Sequence, residues 1–396
     1  MNKIFALLLA VGCISGTVFA QKTAINTNEL DGRVNTITTS VPFLRIAPDA
    51  RAGAMGDAGL ATPATAASMH WNPAKLAFAE KSTSLTFSYT PWLKQLVDDI
   101  YLAYATGYKQ LNDKQTIGIS LLYFNLGNIQ FTDIQGQDAG SFNPRELKTD
   151  VAIANKLTDH LSLSLALRYV YSNLASGQQS GGSVIKPGHA ASADISTFYT
   201  NSAEISTYKS DYAFGMNISN LGTKISYTQN TQKDFIPMNL GIGGSFTLHL
   251  DEYNKFTFAS DLNKLLVPTP VELDVDPQNG IYDYKEMSVP AGLFSSFNDA
   301  PGGFSEEIAE LIWSVGAEYW YADQFAVRGG YFHEAATKGN RQFLTAGIGL
   351  KFNVIGIDVS YLVPTNNQAS PLDNTLRFAL TFDFDELASA NSTSDK

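Results

Sequence analysis

Five histidines, one cysteine and a scatter of carboxylates are the groups with which this 396-residue chain could do chemistry. Their spacing argues against it. His70, His160, His189, His249 and His333 stand far apart, and no H-E-x-x-H, nucleophile elbow or C-x-x-C pattern surrounds any of them. His333-Glu334 reads as a loop pair rather than a catalytic base. Asp274, Asp276 and Asp283 carry the oxygen ligands calcium prefers, but an exposed acidic loop of this kind is read as solvated. The glycine-rich run Arg51–Gly59 lacks the flanking strand, the P-loop lysine and the Rossmann acidic partner of a phosphate cradle. Neither a Ser/His pair nor paired aspartates can be assembled. The expectation is a protein without catalytic residues, cofactor or metal, and not an enzyme.

The elements that would hold these residues begin with an export signal. Lys3 forms a short positive region, Ile4–Val11 is apolar, and Val18-Phe19-Ala20 ends on a small residue before Gln21. That is a cleaved secretory signal over residues 1–20. A rival reading, lipidation at Cys13 after Ala10-Val11-Gly12, is weakened by the apolar stretch continuing past the cysteine. Cys13 is the only cysteine, so the mature chain can hold neither a disulfide framework nor a thiolate metal site. The net charge is -11, or about -12 once Lys3 is removed, which disfavours nucleic acid as a partner. No mature stretch approaches the roughly 20 apolar residues of a membrane helix. Yet 18 tyrosines and 24 phenylalanines remain to be placed.

Alternation places them. Leu161, Leu163, Leu165, Leu167, Tyr169 and Tyr171 share one face of an extended segment, and Ser162, Ser164, Ala166 and Arg168 the other. Such a segment is long enough to cross a bilayer at a tilt. Similar runs begin near Leu85, Ile100, Ile117, Val151, Tyr212, Ile225, Leu240, Phe256, Trp313, Phe325, Leu344, Ile355 and Leu376, the last ending at Phe384. Counting them gives fourteen strands, with Ile225 and Tyr227 the weakest. Short connections, at 111–114, 158–160, 220–223, 251–254, 322–324 and 353–354, alternate with longer ones. The longest are Asn173–Tyr208 and Asn263–Ile308. Strict alternation with both ends on the short-turn side is the signature of a transmembrane β-barrel. Aromatic pairs near strand ends, such as Tyr89 with Trp92 and Tyr331 with Phe332, fit interfacial girdles, although aromatics also suit strands in general. The expected fold is all-β: a 14-stranded antiparallel barrel over residues 82–384 in the bacterial outer membrane, with a periplasmic tail at 385–396.

Residues 21–81 do not read as strand. They are small-residue-rich, and a barrel of fourteen strands is wide enough to need a plug. Gly56, Asp57 and Gly59, followed by Trp71, Asn72, Pro73 and Ala74, resemble the N-terminal hatch of the FadL family of outer-membrane transporters, which implies fourteen strands and a hatch. The fuller runs Val41–Gly59 and Met69–Phe78, extended by Tyr89–Leu93 and Ile129–Asp133, are more similar to the PorV (LptO) family of type IX secretion barrels of Bacteroidetes.

That second resemblance implies a non-enzymatic role in protein secretion. Such barrels receive cargo bearing a C-terminal signal domain from an SprA-type translocon and pass it to an attachment complex containing the sortase-like PorU. Contact with outer-membrane lipid follows from the fold. The longest loops are the expected contact regions, since recognition sits on loops held by a rigid scaffold. Phe294, Phe297 and Phe304 in the second of them either pack that loop or form a docking patch. His70–Pro73 reads as a turn packed on the barrel wall, with a mobile gate as its rival. The competing functions are a FadL-like transporter of hydrophobic small molecules and a general porin.

Overall fold

The computed structural model describes residues 35–384, except 94–96, 133–134, 181–182, 206, 229–232, 271–282 and 366–374. The signal peptide, Cys13 and the tail 385–396 lie outside the described residues, as do Asp274 and Asp276. Fourteen antiparallel strands close into a barrel. They are β1 (Thr83–Pro91), β2 (Ile100–Asn112), β3 (Gln115–Leu126), β4 (Arg145–Lys156), β5 (Leu161–Asn173), β6 (Gly188–Ile205), β7 (Tyr208–Gly222), β8 (Asn239–His249), β9 (Asn254–Leu265), β10 (Ile312–Tyr321), β11 (Phe325–His333), β12 (Gln342–Phe352), β13 (Ile355–Pro364) and β14 (Leu376–Phe384). Each pairs with its neighbours in the chain. β1 meets β14 with Thr83 opposite Phe384 and Tyr89 opposite Phe378. Closure leaves no strand edge, which is what lets a sheet sit in hydrocarbon.

Alternation decides what faces outward. On β5, Leu163, Leu165, Leu167 and Tyr169 are exposed while Ser162, Ser164 and Arg168 are buried inside. The same holds for Leu85, Phe87 and Tyr89 on β1, Ile117, Ile119 and Leu121 on β3, and Leu376, Phe378 and Leu380 on β14. An exposed apolar belt this extensive is untenable in water and is the surface that lipid covers. Aromatic clusters mark both rims. Tyr89, Tyr101 and Tyr123 lie in a row with ring centroids 5.5 and 6.2 Å apart at the long-loop end, and Tyr199 and Tyr212 stand 6.3 Å apart at the other.

The structure assigns one face that alternation leaves open and corrects two expectations. The run Ile100, Leu102, Tyr104, Tyr108 does not face lipid: Leu102, Tyr104 and Tyr108 point into the lumen, where they pack on the N-terminal segment. Alternation defines two faces but not which is inner, and here the plug makes the inner face apolar. Trp92 and Phe332 likewise turn inward, against Phe124 and Phe343. Lastly, Ile225 and Tyr227 form no barrel strand. Ile225 makes one bridge to Asp234 and is buried in a loop core. The true sixth strand, Gly188–Ile205, lies inside the segment Asn173–Tyr208 that reads as a loop. Its outward positions include Ala191, Ala193 and Thr197, too small or polar to announce a membrane strand. The two errors cancel, so the count of fourteen stands. The connections shift accordingly: Ile205 pairs with Tyr208, so the short connection lies there, and the long one spans positions 223 to 238.

Among the described residues, 35–82 contain no strand. They form a 3-10 turn at Pro42–Arg45, α1 (Ala50–Gly53), α2 (Ser68–Trp71) and a second 3-10 turn at Pro73–Phe78. Caps set these boundaries. Asp49 accepts from the Ala52 N–H at 2.9 Å, and Asn72 from the Ala74 N–H at 3.1 Å. The segment fills the lumen. Met69 and Leu76 pack on Tyr108, Ala152, Ala154 and Ala166 of the wall, and Met55 packs on Ala259.

Candidate functional site

The hatch residues singled out by sequence come together against the inner wall. Gly56 adopts φ +68°, and a Cβ there would lie 2.6 Å from the Tyr331 backbone. Its N–H donates to Thr345 Oγ1 at 2.8 Å, and that hydroxyl donates to the Ala54 carbonyl at 2.9 Å. Asp57 lies 3.6 Å from Arg377. The N–H groups of Gly59 and Leu60 both donate to one Asp261 oxygen, at 2.6 and 2.8 Å. Trp71 donates its indole N–H to Asp49 at 2.6 Å, and its carbonyl accepts from Asn217 at 2.9 Å. Asn72 is fully buried and donates to the carbonyls of Leu60 and Thr197, at 3.1 and 3.0 Å. Ser162 Oγ donates to the Ala74 carbonyl at 2.7 Å, beside Pro73. Each residue either permits close approach or pins backbone to wall.

Two buried charge networks, which sequence reading passed over, complete the lumen. Arg51 of the hatch forks onto Glu318 at 2.7 and 2.9 Å. Glu318 also takes Arg328 at 2.6 Å, and Arg328 reaches Asp358 at 2.6 Å. On the opposite wall Arg168 bridges Asp150 and Asp194 at 2.5 and 2.7 Å, with Lys148 3.1 Å from Asp150. Two positive and two negative side chains meet in each. The available signal was an ionisable residue in mid-strand on the small, polar face, a position that costs too much to be idle.

Among the described residues, charged groups of the lumen and loops are paired with one another. The network carboxylates are occupied by guanidinium or ammonium groups. His249 is bonded to Asp211 at 2.6 Å and His333 stacks beside Trp313, while Glu334 is taken by Arg45 and Arg341 at 3.2 and 2.6 Å. Burial alone would raise the Glu334 carboxyl, but Arg341 and then Arg45 outweigh it and hold it below the ordinary glutamate range.

Phe294, Phe297 and Phe304 do not join the hatch. They belong to the long connection between β9 and β10, which carries α3 (Asp283–Glu286), α4 (Val289–Ser295) and α5 (Phe304–Ala309). Their exposures are 74, 48 and 81 %, and Ile308, one turn along α5 from Phe304, is 51 % exposed. The loop beneath is nevertheless fixed. Glu307 and Glu310 bind Lys264 of β9 at 2.9 and 2.6 Å, and Glu310 also binds Lys338 at 3.0 Å. α5 thus turns its acids inward and its apolar side chains out.

A closed fourteen-stranded barrel with an apolar belt and a segment of its own chain packed inside defines an outer-membrane β-barrel protein. A family model described as "Type IX secretion system protein PorV" matches residues 28–272, more than half of the chain. The chain belongs to the PorV family. None of the curated proteins matches it. Among solved structures it is similar to the P. putida toluene transporter TodX, at 12 % identity, 85 % of this chain, 98 % of that one and TM-score 0.49. The Ralstonia pickettii toluene transporter TbuX gives 14 %, 86 %, 98 % and 0.45. A Pseudomonas aeruginosa FadL homologue gives 11 %, 89 %, 100 % and 0.41.

Proposed function

We propose that this protein is a non-enzymatic docking barrel of type IX secretion. It binds exported cargo through the C-terminal signal domain as the cargo leaves an SprA-type translocon, and hands it to the PorU-containing attachment complex at the cell surface. The observation that carries this is the pairing of a filled lumen with exposed aromatics on a fixed loop. With the hatch and its polar pins occupying the interior, the long loops are where a partner can be met. Phe294, Phe297 and Phe304 have the size and exposure of interface anchors, and membership of the PorV family supports a protein as the partner.

The test is replacement of all three phenylalanines by serine. Exposed apolar side chains contribute little to folding, so the barrel should still show the heat-dependent gel mobility of a folded outer-membrane protein. Surface delivery of type IX cargo should fall severalfold, and copurification of cargo from detergent extracts should fall with it. Unchanged delivery would sink the proposed docking patch. Normal delivery in a deletion strain, with failed growth on hydrophobic substrates, would instead favour transport of small molecules.

A further inference from the structure

The hatch does not start where the barrel starts. β1 begins at Thr83 on the short-turn side, and Gln110 there donates to the Ala79 carbonyl at 2.7 Å. Residues 35–45 lie at the other end, among the long loops. Asn35 donates its side-chain amide to Glu306 at 2.9 Å, and its carbonyl accepts from Lys338 at 3.1 Å. The Ser40 N–H donates to the Phe235 carbonyl at 3.0 Å, and Arg45 meets Glu334 at 3.2 Å. Apolar contacts follow the same path. Ile37 packs with Phe235, Met238, Leu266 and Val267. Val41, Phe43 and Leu44 pack with Trp92, Phe124, Ile225 and Ile236.

The partners of this short strap come from four separate connections: β1–β2 (Trp92), β7–β8 (Ile225, Phe235, Ile236), β9–β10 (Leu266, Val267, Glu306) and β11–β12 (Glu334, Lys338). No one of these loops could bury so much apolar surface alone. Short turns face the periplasm in barrels of this class, so the strap stands at the cell surface and the hatch crosses the whole lumen.

We infer that residues 35–45 are the shared core of an extracellular cap, binding four loops into one platform and tying that platform covalently to the hatch. The cap presents its apolar side chains to a protein partner, a step that rests on the docking role proposed above. Movement of the platform then pulls on the hatch directly, through the chain from Arg45 to Asp49, without any intermediary in the wall.

Cysteine accessibility tests this in intact cells, because the only native cysteine is Cys13 and the unmodified protein serves as the blank. Thr38 is exposed, whereas Ser296 in the β9–β10 loop is fully buried. Thr38→Cys should react with a membrane-impermeant maleimide from outside, and Ser296→Cys should not. Adding Ile37→Asp to Ser296→Cys should speed labelling at position 296 about tenfold or more, because a carboxylate in that apolar core disfavours the closed cap. Labelling of Thr38→Cys only after permeabilisation would overturn the placement of the strap. Retained protection at position 296, in protein whose gel mobility shows a folded barrel, would overturn its role as the core. If the cap loosens and cargo delivery is unaffected, the strap inference stands and the docking reading fails.

Discussion

Replacing Asn72 by alanine tests whether the hatch is held by named hydrogen bonds or merely by filling space. The side chain is fully buried, donates to Leu60 and Thr197 and accepts from Ala74. The Ala74 N–H keeps a second partner in Ser196 Oγ at 3.2 Å, so alanine strands mainly two carbonyl acceptors. At about 1–3 kcal/mol for each buried group left unsatisfied, the loss is roughly 2–6 kcal/mol. That shifts a local opening equilibrium by about thirtyfold to about 25,000-fold. The cost falls on the hatch alone, since the strands keep their ladder. Hydrogen exchange in detergent should therefore show residues 50–80 opening faster by that factor, with the thermal midpoint of the barrel moved little. Asn72→Asp retains the acceptor and loses both donors, and should be at least as harmful. Unchanged hatch protection in Asn72→Ala would refute the reasoning, because it would mean packing alone fixes the segment.

Other perturbations follow from the same contacts. Gly330→Val puts a Cβ 2.1 Å from the Met55 carbonyl carbon and should displace the hatch as Asn72→Ala does, while Gly244→Ala, whose nearest neighbour is the Phe214 ring at 3.7 Å, should be silent by the same exchange measurement. Arg168→Leu leaves two buried aspartates with only Lys148 between them, and breaking such a pair costs ~3–5 kcal/mol. The barrel midpoint should drop, and Asp150→Asn with Asp194→Asn should restore much of it; no recovery would argue against charge as the cause. Acid should loosen the cap. Burial alone would raise the carboxyls of Glu306, Glu307 and Glu334, but Lys338, the Ala300 N–H with Lys264, and Arg341 respectively pull each below the ordinary glutamate range. Their stabilising contribution is thus complete above the unfolded value and is lost as pH falls through the lower folded values. The labelling rate of Ser296→Cys relative to the exposed Thr38→Cys at the same pH, a ratio that cancels the loss of reactive thiolate in acid, should stay flat from about pH 8 to about pH 5 and rise below that; a rise in the ratio between about pH 8 and pH 6 would contradict this.

Most of the barrel is legible in the sequence because lipid demands a simple pattern. β5, β12 and β14 announce themselves through Leu, Ile and Phe at every second position. Gly188–Ile205 escaped because its outward side chains are modest, and because its best apolar residue, Phe198, faces inward to meet Phe78 of the hatch. β2 was found, but alternation alone did not say which of its faces is inner, for a related reason. Where the plug presents apolar side chains, the usual contrast between a greasy outside and a polar inside disappears. The hatch motif was visible through resemblance, but its partners were not. Arg51 and Glu318 are 267 residues apart, and Gly59 and Asp261 are 202 apart. No local spacing rule can join them.

The composition of the hatch explains why those distant partners are charged. Gly53, Ala54, Met55, Gly56 and Ala58 let its backbone approach the glycines of the wall: a Cβ at Gly316 would meet Met55, and one at Gly347 would meet Ala54. Close approach of small residues gives contact but little register, because one alanine fits much like the next. A chain held only in that way could slide along the lumen at small cost. Asp261 removes the ambiguity, since a single carboxylate oxygen can receive the Gly59 and Leu60 N–H groups in one alignment only. The Arg51 fork on Glu318 does the same at the other end of the glycine run. Buried ion pairs of this kind add little net stability once desolvation is counted, and their best-attested use is to select one arrangement among several of similar energy. In this barrel the small residues provide the fit and the buried charges provide the register.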